Sequence, residues 1–444
     1  MPTLPPPDSD DRLTPRDLRD IWAVILPDDR LAGFRMLGRS DAEDFFLQLH
    51  APEQAELLLA HRPEEQRSWM RMVAPDDAAD LLQAAPSGER ERLLALLDEP
   101  TRVEVSALLA YEEDAAGGLM NPRYARLRPD VTVDEAISYL RKQAHTYLET
   151  IYYLYVLDDQ KHLLGVLSLR ELFAAPAGRR VRDVMRGEFV TVRDDLDQES
   201  VSRVVARHDL YAIPVVDAEQ RMKGIVTVDD IVDVVQEEAT EDIQKFGGME
   251  ALDLPYMKVA FGRLVRKRAS WLAALFLGEM LTATAMAYFE DEIARAVILA
   301  MFVPLIISSG GNSGSQASTL VIRAMALGEV KLRDWWRVAR RELAAGAVLG
   351  VVLGSIGFLR IVLWQAVRPT YGEHYLLVAL TVLGSLIGVV TFGTLAGSLL
   401  PFLLRRVGFD PASASAPFVA TLVDVTGLVI YFSLASLLLT GTLL

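Results

Sequence analysis

The chain has 444 residues, 51% hydrophobic, with 45 Lys or Arg against 60 Asp or Glu and no cysteine. That length allows two to four domains at ~100–200 residues each. The missing cysteines exclude a disulfide framework, a thiolate zinc site and a cysteine nucleophile, and a net charge of −15 excludes the basic footprint of a general nucleic-acid binder. The charge is divided unevenly. Residues 1–250 hold 29 basic and 49 acidic residues, whereas 251–444 hold 16 and 11 together with most of the apolar runs.

In chain order, the start MPTLPPPDSDD lacks a basic and then apolar signal segment, and residues 1–20 read as a disordered tail. Over 21–120, prolines at 52, 63, 75, 86 and 100 each open an acidic, Leu/Ala-rich stretch such as PDDAADLLQA. Proline suits a first helical turn and acids suit a helix N-terminus, so this is an all-α solenoid of short stacked helices. A second repeat follows over 121–240. YVLDDQKHLLGVLSLREL (155–172) matches PVVDAEQRMKGIVTVDDI (214–231) at an offset of 59, each copy supplying two β-rich runs and a helix start. The pattern resembles a tandem of CBS domains, about 121–176 and 184–240, forming one α/β module. Such tandems commonly bind adenosine nucleotides through a Thr and an Asp, here Thr227 and Asp230, with Ser168 and Glu171 in the first copy. The alternative is a repeat that only dimerises. Residues 233–252 place Glu237, Glu238, Glu241 and Asp242 within two helical turns. Like charges so spaced repel unless neutralised, which leaves a solvated face and a divalent-cation site as the two readings.

Five apolar stretches, roughly 270–289, 293–312, 343–365, 375–403 and 414–441, reach the ~20 residues that cross a bilayer. They lack the polar stripe of soluble core helices. Basic residues cluster before the first (Arg263, Arg266, Lys267, Arg268), between the second and third (Arg323 to Arg341), and between the fourth and fifth (Arg405, Arg406). This predicts a multi-pass protein with a cytoplasmic N-terminus and an outside C-terminus. The second stretch ends in SSGGNSGSQAST (308–319), expected as a polar break at the cytoplasmic helix end. Two acids fall inside spans, Glu279 and Asp424, and an intramembrane acid marks a functional site. No constellation for an enzyme is present.

Together, the proline-punctuated solenoid, YEEDAAGGLMNP, the tandem, VDDIVDVVQEEATEDI, GGNSGSQASTLVIRA and FDPASASAPFVATLVDVTG resemble the MgtE family of magnesium channels over nearly the whole chain. The resemblance implies a homodimer in the bacterial cytoplasmic membrane, with Mg²⁺ as substrate and regulator and ATP as a candidate ligand of the CBS module. It also implies a linker and plug helix over 241–266, centred on about 244–264, and a pore domain over 267–444 built mainly on the second and fifth spans. Asp424 and the carbonyl of Ala420 would hold the pore ion. The regulatory positions carried over are Asp76, Asp80, Gly118, Asp197, Glu199, Asp209, Asp230, Asp233, Glu238, Glu241, Asp242 and Asp410. Ala416 and Ser315 stand where the family can carry Asn.

Overall fold

A computed structural model describes residues 13–22, 24–143, 148–252, 254, 256, 257 and 259–443. The chain divides into two compact units, Met1–Val235 and Gln236–Leu444.

The first unit begins with the helices α1 (Pro15–Trp22), α2 (Pro27–Met36), α3 (Arg39–Leu47), α4 (Ala51–Ala60), α5 (Pro63–Met70), α6 (Pro75–Ala84), α7 (Ser87–Leu94) and α8 (Glu99–Leu108). Each proline of the repeat sits at a helix start. The residues before Pro63 and Pro75 are extended, with ψ of 145° and 158°, because a following proline ring disfavours the helical region. Residues 1–12 of the expected tail lie outside the described residues, and residues 15–20 correct it: they are helical. Thr14 and Asp17 cap α1 reciprocally, with the Thr14 amide and hydroxyl donating to Asp17 at 3.0 and 2.6 Å. Leu18 and Trp22, one turn apart, are buried, and Trp22 meets Phe45 edge-to-face at 5.0 Å. Buried Arg30 donates to the Trp22 carbonyl at 3.0 Å and pairs with Glu56 at 2.9 Å, so its charge is compensated.

After the short α9 (Ala116–Leu119), the two sequence repeats fold alike. The first runs β1 (Arg126–Leu127), α10 (Val133–Gln143), β2 (Tyr153–Leu157), β3 (Leu163–Ser168), α11 (Leu169–Ala174), followed by α12 (Val181–Val184). The second runs β4 (Val192–Arg193), α13 (Gln198–His208), β5 (Ala212–Val216), β6 (Met222–Thr227), α14 (Val228–Phe246). Each makes a three-stranded sheet, one parallel and one antiparallel pair. The offset of 59 holds to the residue: Tyr153 pairs with Ser168 and Ala212 with Thr227, and the register shifts after Val156 and after Val215. Both hairpin turns use a left-handed residue at the same position, Lys161 (φ 68°) and Gln220 (φ 63°). Tyr155, Leu157, Ala212, Met222 and Ile225 close the seam between the sheets.

The second unit holds α15 (Phe261–Tyr288), α16 (Glu290–Arg295), α17 (Val297–Ala300), α18 (Val303–Ala326), α19 (Trp335–Val367), α20 (Tyr375–Val407) and α21 (Ala416–Leu439). Among the described residues, five stretches are long and apolar enough to span a bilayer: Phe261–Tyr288, Val297–Ala326, Leu332–Val367, Tyr375–Val407 and Ala416–Leu439. Two expectations are corrected. No helix covers 247–260 among the described residues; α14 continues to Phe246 and α15 starts at Phe261, so the ends of the linking helix placed at 244–264 fall in α14 and α15, and the described residues between them are not helical. Gly247 and Gly248 stop α14, Gly248 at φ 72°. The Gly-rich 308–319 segment is not a break but the middle of α18. Its glycines let helices touch through their backbones. A Cβ on Gly314 would stand 2.8 Å from the Gly393 carbonyl oxygen of α20, and one on Gly310 would stand 2.6 Å from a Val423 methyl of α21. Gly346, Gly350 and Gly354 of α19 meet α20 likewise, a Cβ on Gly350 falling 2.6 Å from the Ile387 Cα. Packing overrides the poor helix propensity of glycine.

Gly397 faces the Gly314 carbonyl even more closely. Gly397→Leu should therefore force α18 and α20 apart and lose most monodisperse protein on size-exclusion chromatography in detergent, because the obstacle is backbone that cannot rotate away. Gly262→Ala, with open space around it, should behave as the parent.

Candidate ion path and carboxylate clusters

In the second unit, α21 is seated between α15 and α18. Gly311 of α18 approaches Ala420, where a Cβ would stand 3.6 Å from the Ala420 Cα, and Gly278 of α15 approaches the Thr421 methyl. Ser318 donates to the Ala414 carbonyl at 2.9 Å, tying the turn before α21 to α18. On this frame Asp424 is half-buried, and its carboxyl meets that of Glu279 within hydrogen-bonding reach. Two facing carboxyls in a low dielectric need a proton or a cation between them. Along α18, Ser308, Asn312, Gln316 and Thr319 form an exposed polar line with Ser315 beside it. Such a line inside a span calls for water or another polar surface.

The first unit gathers acids from three segments. Asp76 and Asp77 open α6, Asp229, Asp230 and Asp233 lie on α14, and Glu149 precedes β2. Desolvation first, then the charges of Asp77, Asp230 and Glu149, hold the Asp76 carboxyl well above the usual range. Asp230 is pushed up to about 7, by burial first, against the hydrogen bonds from Thr227 and with the charges of Asp229 and Asp77. Asp77 rises to about 6 through desolvation and then the charges of Asp229 and Asp233; it keeps contact with solvent, so water and salt screen its shift most. Glu149 is raised for the same reasons, with Arg123 opposing. The Asn121 amide donates to Asp76 at 3.0 Å and to Glu149 at 2.7 Å. Two neutral donor bonds do not cancel this charge.

The remaining positions divide further. Gly118 is buried in a segment whose neighbours Ala116 and Gly117 donate to the Leu196 and Asp194 carbonyls at 2.7 and 2.8 Å, which brings it beside Asp197. A Cβ on Gly118 would collide with the carbonyls of Glu112 and Glu113. Asp197 caps α13 by accepting from the Ser200 amide at 3.1 Å, Glu199 pairs with Arg203 at 2.6 Å, and Asp209 ends α13 in the left-handed conformation. Asp80 lies one turn beyond Asp76 on α6. Glu238, Glu241 and Asp242 ride on the last turns of α14. Lys245 donates to Asp410 at 2.6 Å and also pairs with Glu241. Burial alone would lower that ammonium, but the hydrogen bonds and charges of Asp410 and Glu241 outweigh it and raise it above the ordinary lysine range. A tethered cation thus sits between two expected metal ligands.

Thr227 and Asp230 have a structural occupation too. The Thr227 amide and hydroxyl donate to Asp230 at 3.0 and 2.7 Å, capping α14, and Ser168 with Glu171 caps α11 in the same way. Asp77, Asp229, Glu149 and Asn121 escaped the sequence reading. The first two were signalled by adjacency to Asp76 and Asp230; Glu149 and Asn121 carry no local signal. Among the described residues, no three acids or histidines converge closely enough to form a ready metal cage. The clusters are crowded but not closed.

A helical solenoid, a pair of α/β repeats and five apolar helices carrying an acid in the last define a polytopic membrane protein with an acidic sensor-like half. Comparison with known proteins specifies the kind. Residues 303–434 match the MgtE family, described as divalent cation transporters, 13–114 match the MgtE intracellular N domain, and 116–178 and 181–237 match CBS domains. Magnesium transporter MgtE of Thermus thermophilus is 43% identical over 97% of this chain and 94% of its own. The Bacillus subtilis transporter of the same name is 32% identical over 96% and 92%, and that of Enterococcus faecalis 35% over 75% and 71%. A crystal structure of the cytosolic domain of the Mg²⁺ channel MgtE in complex with ATP is 43% identical, covering 50% of this chain and 91% of that one at a TM-score of 0.47. The chain belongs to the MgtE family.

The raised acids carry a pH dependence. They hold protons in the fold that the unfolded chain releases near the ordinary value of 3.8, so their contribution is complete below that value and is lost as pH rises through about 6 to 7. In chelator, protease resistance of residues 1–235 should fall between pH 5 and pH 7.5, and excess Mg²⁺ should remove most of the fall. Resistance that rises with pH in chelator would contradict the cluster as described.

Proposed function

We propose that the protein carries Mg²⁺ into the cell across the bacterial cytoplasmic membrane, through a path shared by two copies, and that cytosolic Mg²⁺ bound by the acidic half closes that path. The observation that carries the reading is Asp424, half-buried in the last span, on the helix that packs against α18 with its exposed polar line. One such acid per chain makes a pair only about a two-fold axis, and a second copy would cover the polar line that lipid cannot. The named relatives are magnesium transporters. Mg²⁺ dehydrates reluctantly and keeps several waters, so a carboxylate pair would hold it through those waters, weakly enough to let it leave. The basic residues flanking the spans support a cytoplasmic N-terminus and an outside C-terminus.

Closure follows from differential affinity. The compact first unit crowds Asp76, Asp77, Asp229, Asp230 and Asp233, and a divalent ion binds that arrangement better than a loosened one. Gly118 with Asp197, Glu199 and Asp209, and Glu238, Glu241, Asp242 and Asp410, are the further regulatory positions in this reading. The CBS tandem with Thr227 and Asp230 is its candidate ATP site. The facing Glu279 and Asp424 carboxyls favour one alternative, transport coupled to protons. Under it, flux into proteoliposomes should follow an imposed pH gradient and vanish in Glu279→Gln.

Asp424→Asn should keep shape and assembly yet lose most Mg²⁺ flux into proteoliposomes, about tenfold or more, since the charge leaves the path while the packing stays. Normal flux from this variant sinks the path. Asp230→Ala with Asp233→Ala should instead give flux that persists at cytosolic Mg²⁺ concentrations that silence the parent. Closure at an unchanged concentration would make these acids an ordinary solvated face, for which near-neutral effects are the rule.

A further inference from the structure

The positive surplus of residues 251–444 is gathered in one place. Residues 323–342 with Arg405 and Arg406 hold eight basic residues against three acidic ones, whereas the rest of 251–444 holds eight of each. Packing brings the two segments together. Val330 and Val338 rest on the cluster of Val321, Met325 and Phe402, and the 3₁₀ turn Leu332–Asp334 before α19 lies against α20. Arg405 and Arg406 follow Phe402 by one helical turn, so the last turn of α20 stands beside the start of α19. Arg337 is paired with Asp334 at 3.3 Å, and Arg341 acts on the half-buried Glu342. Lys331, Arg333, Arg340, Arg405 and Arg406 are exposed and pair with no carboxylate among the described residues, exposed Glu329 included.

Trp335 and Trp336 stand amid this charge, both exposed, their rings edge-to-face at 5.5 Å. Bulk water suits adjacent indoles poorly and hydrocarbon suits arginines poorly, whereas the headgroup layer suits both. The sequence sets the same level independently: residues 343–359 of α19 carry no charge, so Arg340 and Arg341 stand at the edge of the apolar stretch. A bias of basic residues to one side of a membrane accepts either kind of cation at any place in a short loop. It does not explain arginine at six of the seven positions 331, 333, 337, 340, 341, 405 and 406, nor the paired indoles among them.

We propose that this surface binds anionic phospholipid of the leaflet on that side, with Arg333, Arg340, Arg405 and Arg406 taking the phosphodiester and Trp335 and Trp336 seated at the base of the headgroups. A guanidinium fork matches phosphate oxygens two at a time, which an ammonium does not. A lipid whose phosphate is not offset by an amine gains most from cations that lack internal partners. The acids of residues 1–250 are the competing source of negative charge, but carboxylates offer nothing to the indoles, and lipid satisfies both groups. The inference rests on the spans crossing a bilayer and not on what passes through them.

The test titrates the full chain in detergent micelles with dibrominated phosphatidylglycerol or dibrominated phosphatidylcholine and reads bromine quenching of tryptophan fluorescence. Phosphatidylglycerol should reach half its quenching at about a tenfold lower mole fraction than phosphatidylcholine. The preference should collapse in about 1 M salt, where screening is strong. It should also vanish in Arg333→Gln with Arg340→Gln and Arg405→Gln, while Arg263→Gln with Arg266→Gln, in the basic run at the start of α15, keeps it. Trp335→Phe with Trp336→Phe should remove most of the quenching that separates the two lipids. Equal quenching by both lipids, a preference indifferent to salt, or the same loss from the α15 pair overturns the site. The salt series is read on the parent chain and stands even where the triple variant does not fold. The readout is lipid binding rather than flux, so failure here leaves the transport reading standing.

Discussion

The rest of the molecule depends on one constraint: carboxylates brought together away from bulk water must be given positive charge or protons. Buried Asp76 and half-buried Asp230 are crowded with the exposed Asp77 and Asp229 at the starts of α6 and α14, and Glu279 faces Asp424 across α15 and α21. Among the described residues, the basic side chain found to act on these groups is Arg123, on Glu149. A fold that assembles such groups by well-packed helices has a charge deficit built into its compact form. That deficit has to be met, by protons or by cations, wherever the compact form persists.

The packing that creates the deficit is of two kinds. In the first unit, prolines set the helix starts, and a buried aromatic cluster around Phe34, Phe45, Phe46 and Trp69 fixes how the helices stack. In the second, glycines bring α18, α19 and α20 to backbone contact, so small displacements meet steep repulsion. α15 differs: none of its residues is buried within the chain, and it rests on α21. The helix bearing Glu279 is therefore the least constrained of the five, while the helix bearing Asp424 is held on several sides.

Much of this was legible in the sequence because the signals are local. Proline positions gave α4 to α8, and the offset of 59 gave two sheets with matching register, bulge and turn. Apolar length gave the five spans. What was not legible depends on contacts distant in the chain. The Gly-rich 308–319 segment looks like a break locally, and only the opposing Gly393 and Gly397 make it a helix. The start of α1 looks like part of a polar tail until Leu18 is seen buried in the solenoid core. The expected linking helix at 244–264 took its place from resemblance, whereas Gly247 and Gly248 end α14 before it. Glu149 and Asn121 join the carboxylate cluster across 73 and 45 residues from Asp76. No window of sequence contains such information.

Lys245 sharpens the argument about cations. Between Glu241 and Asp410 the chain supplies its own positive charge, and an ammonium tethered one turn from Glu241 acts at very high effective concentration. It brings one charge against two, so the site is left half-neutralised. A free divalent ion brings both charges but must displace the tether or share the carboxylates with it. Among the described residues, the cluster around Asp76 and Asp230 has no such tether, only the neutral donors Asn121 and Thr227. At equal carboxylate crowding, a divalent ion therefore gains more at the Asp76 cluster than at the Lys245 site. Were both clusters the regulatory sites proposed above, they would fill in that order as cytosolic Mg²⁺ rises.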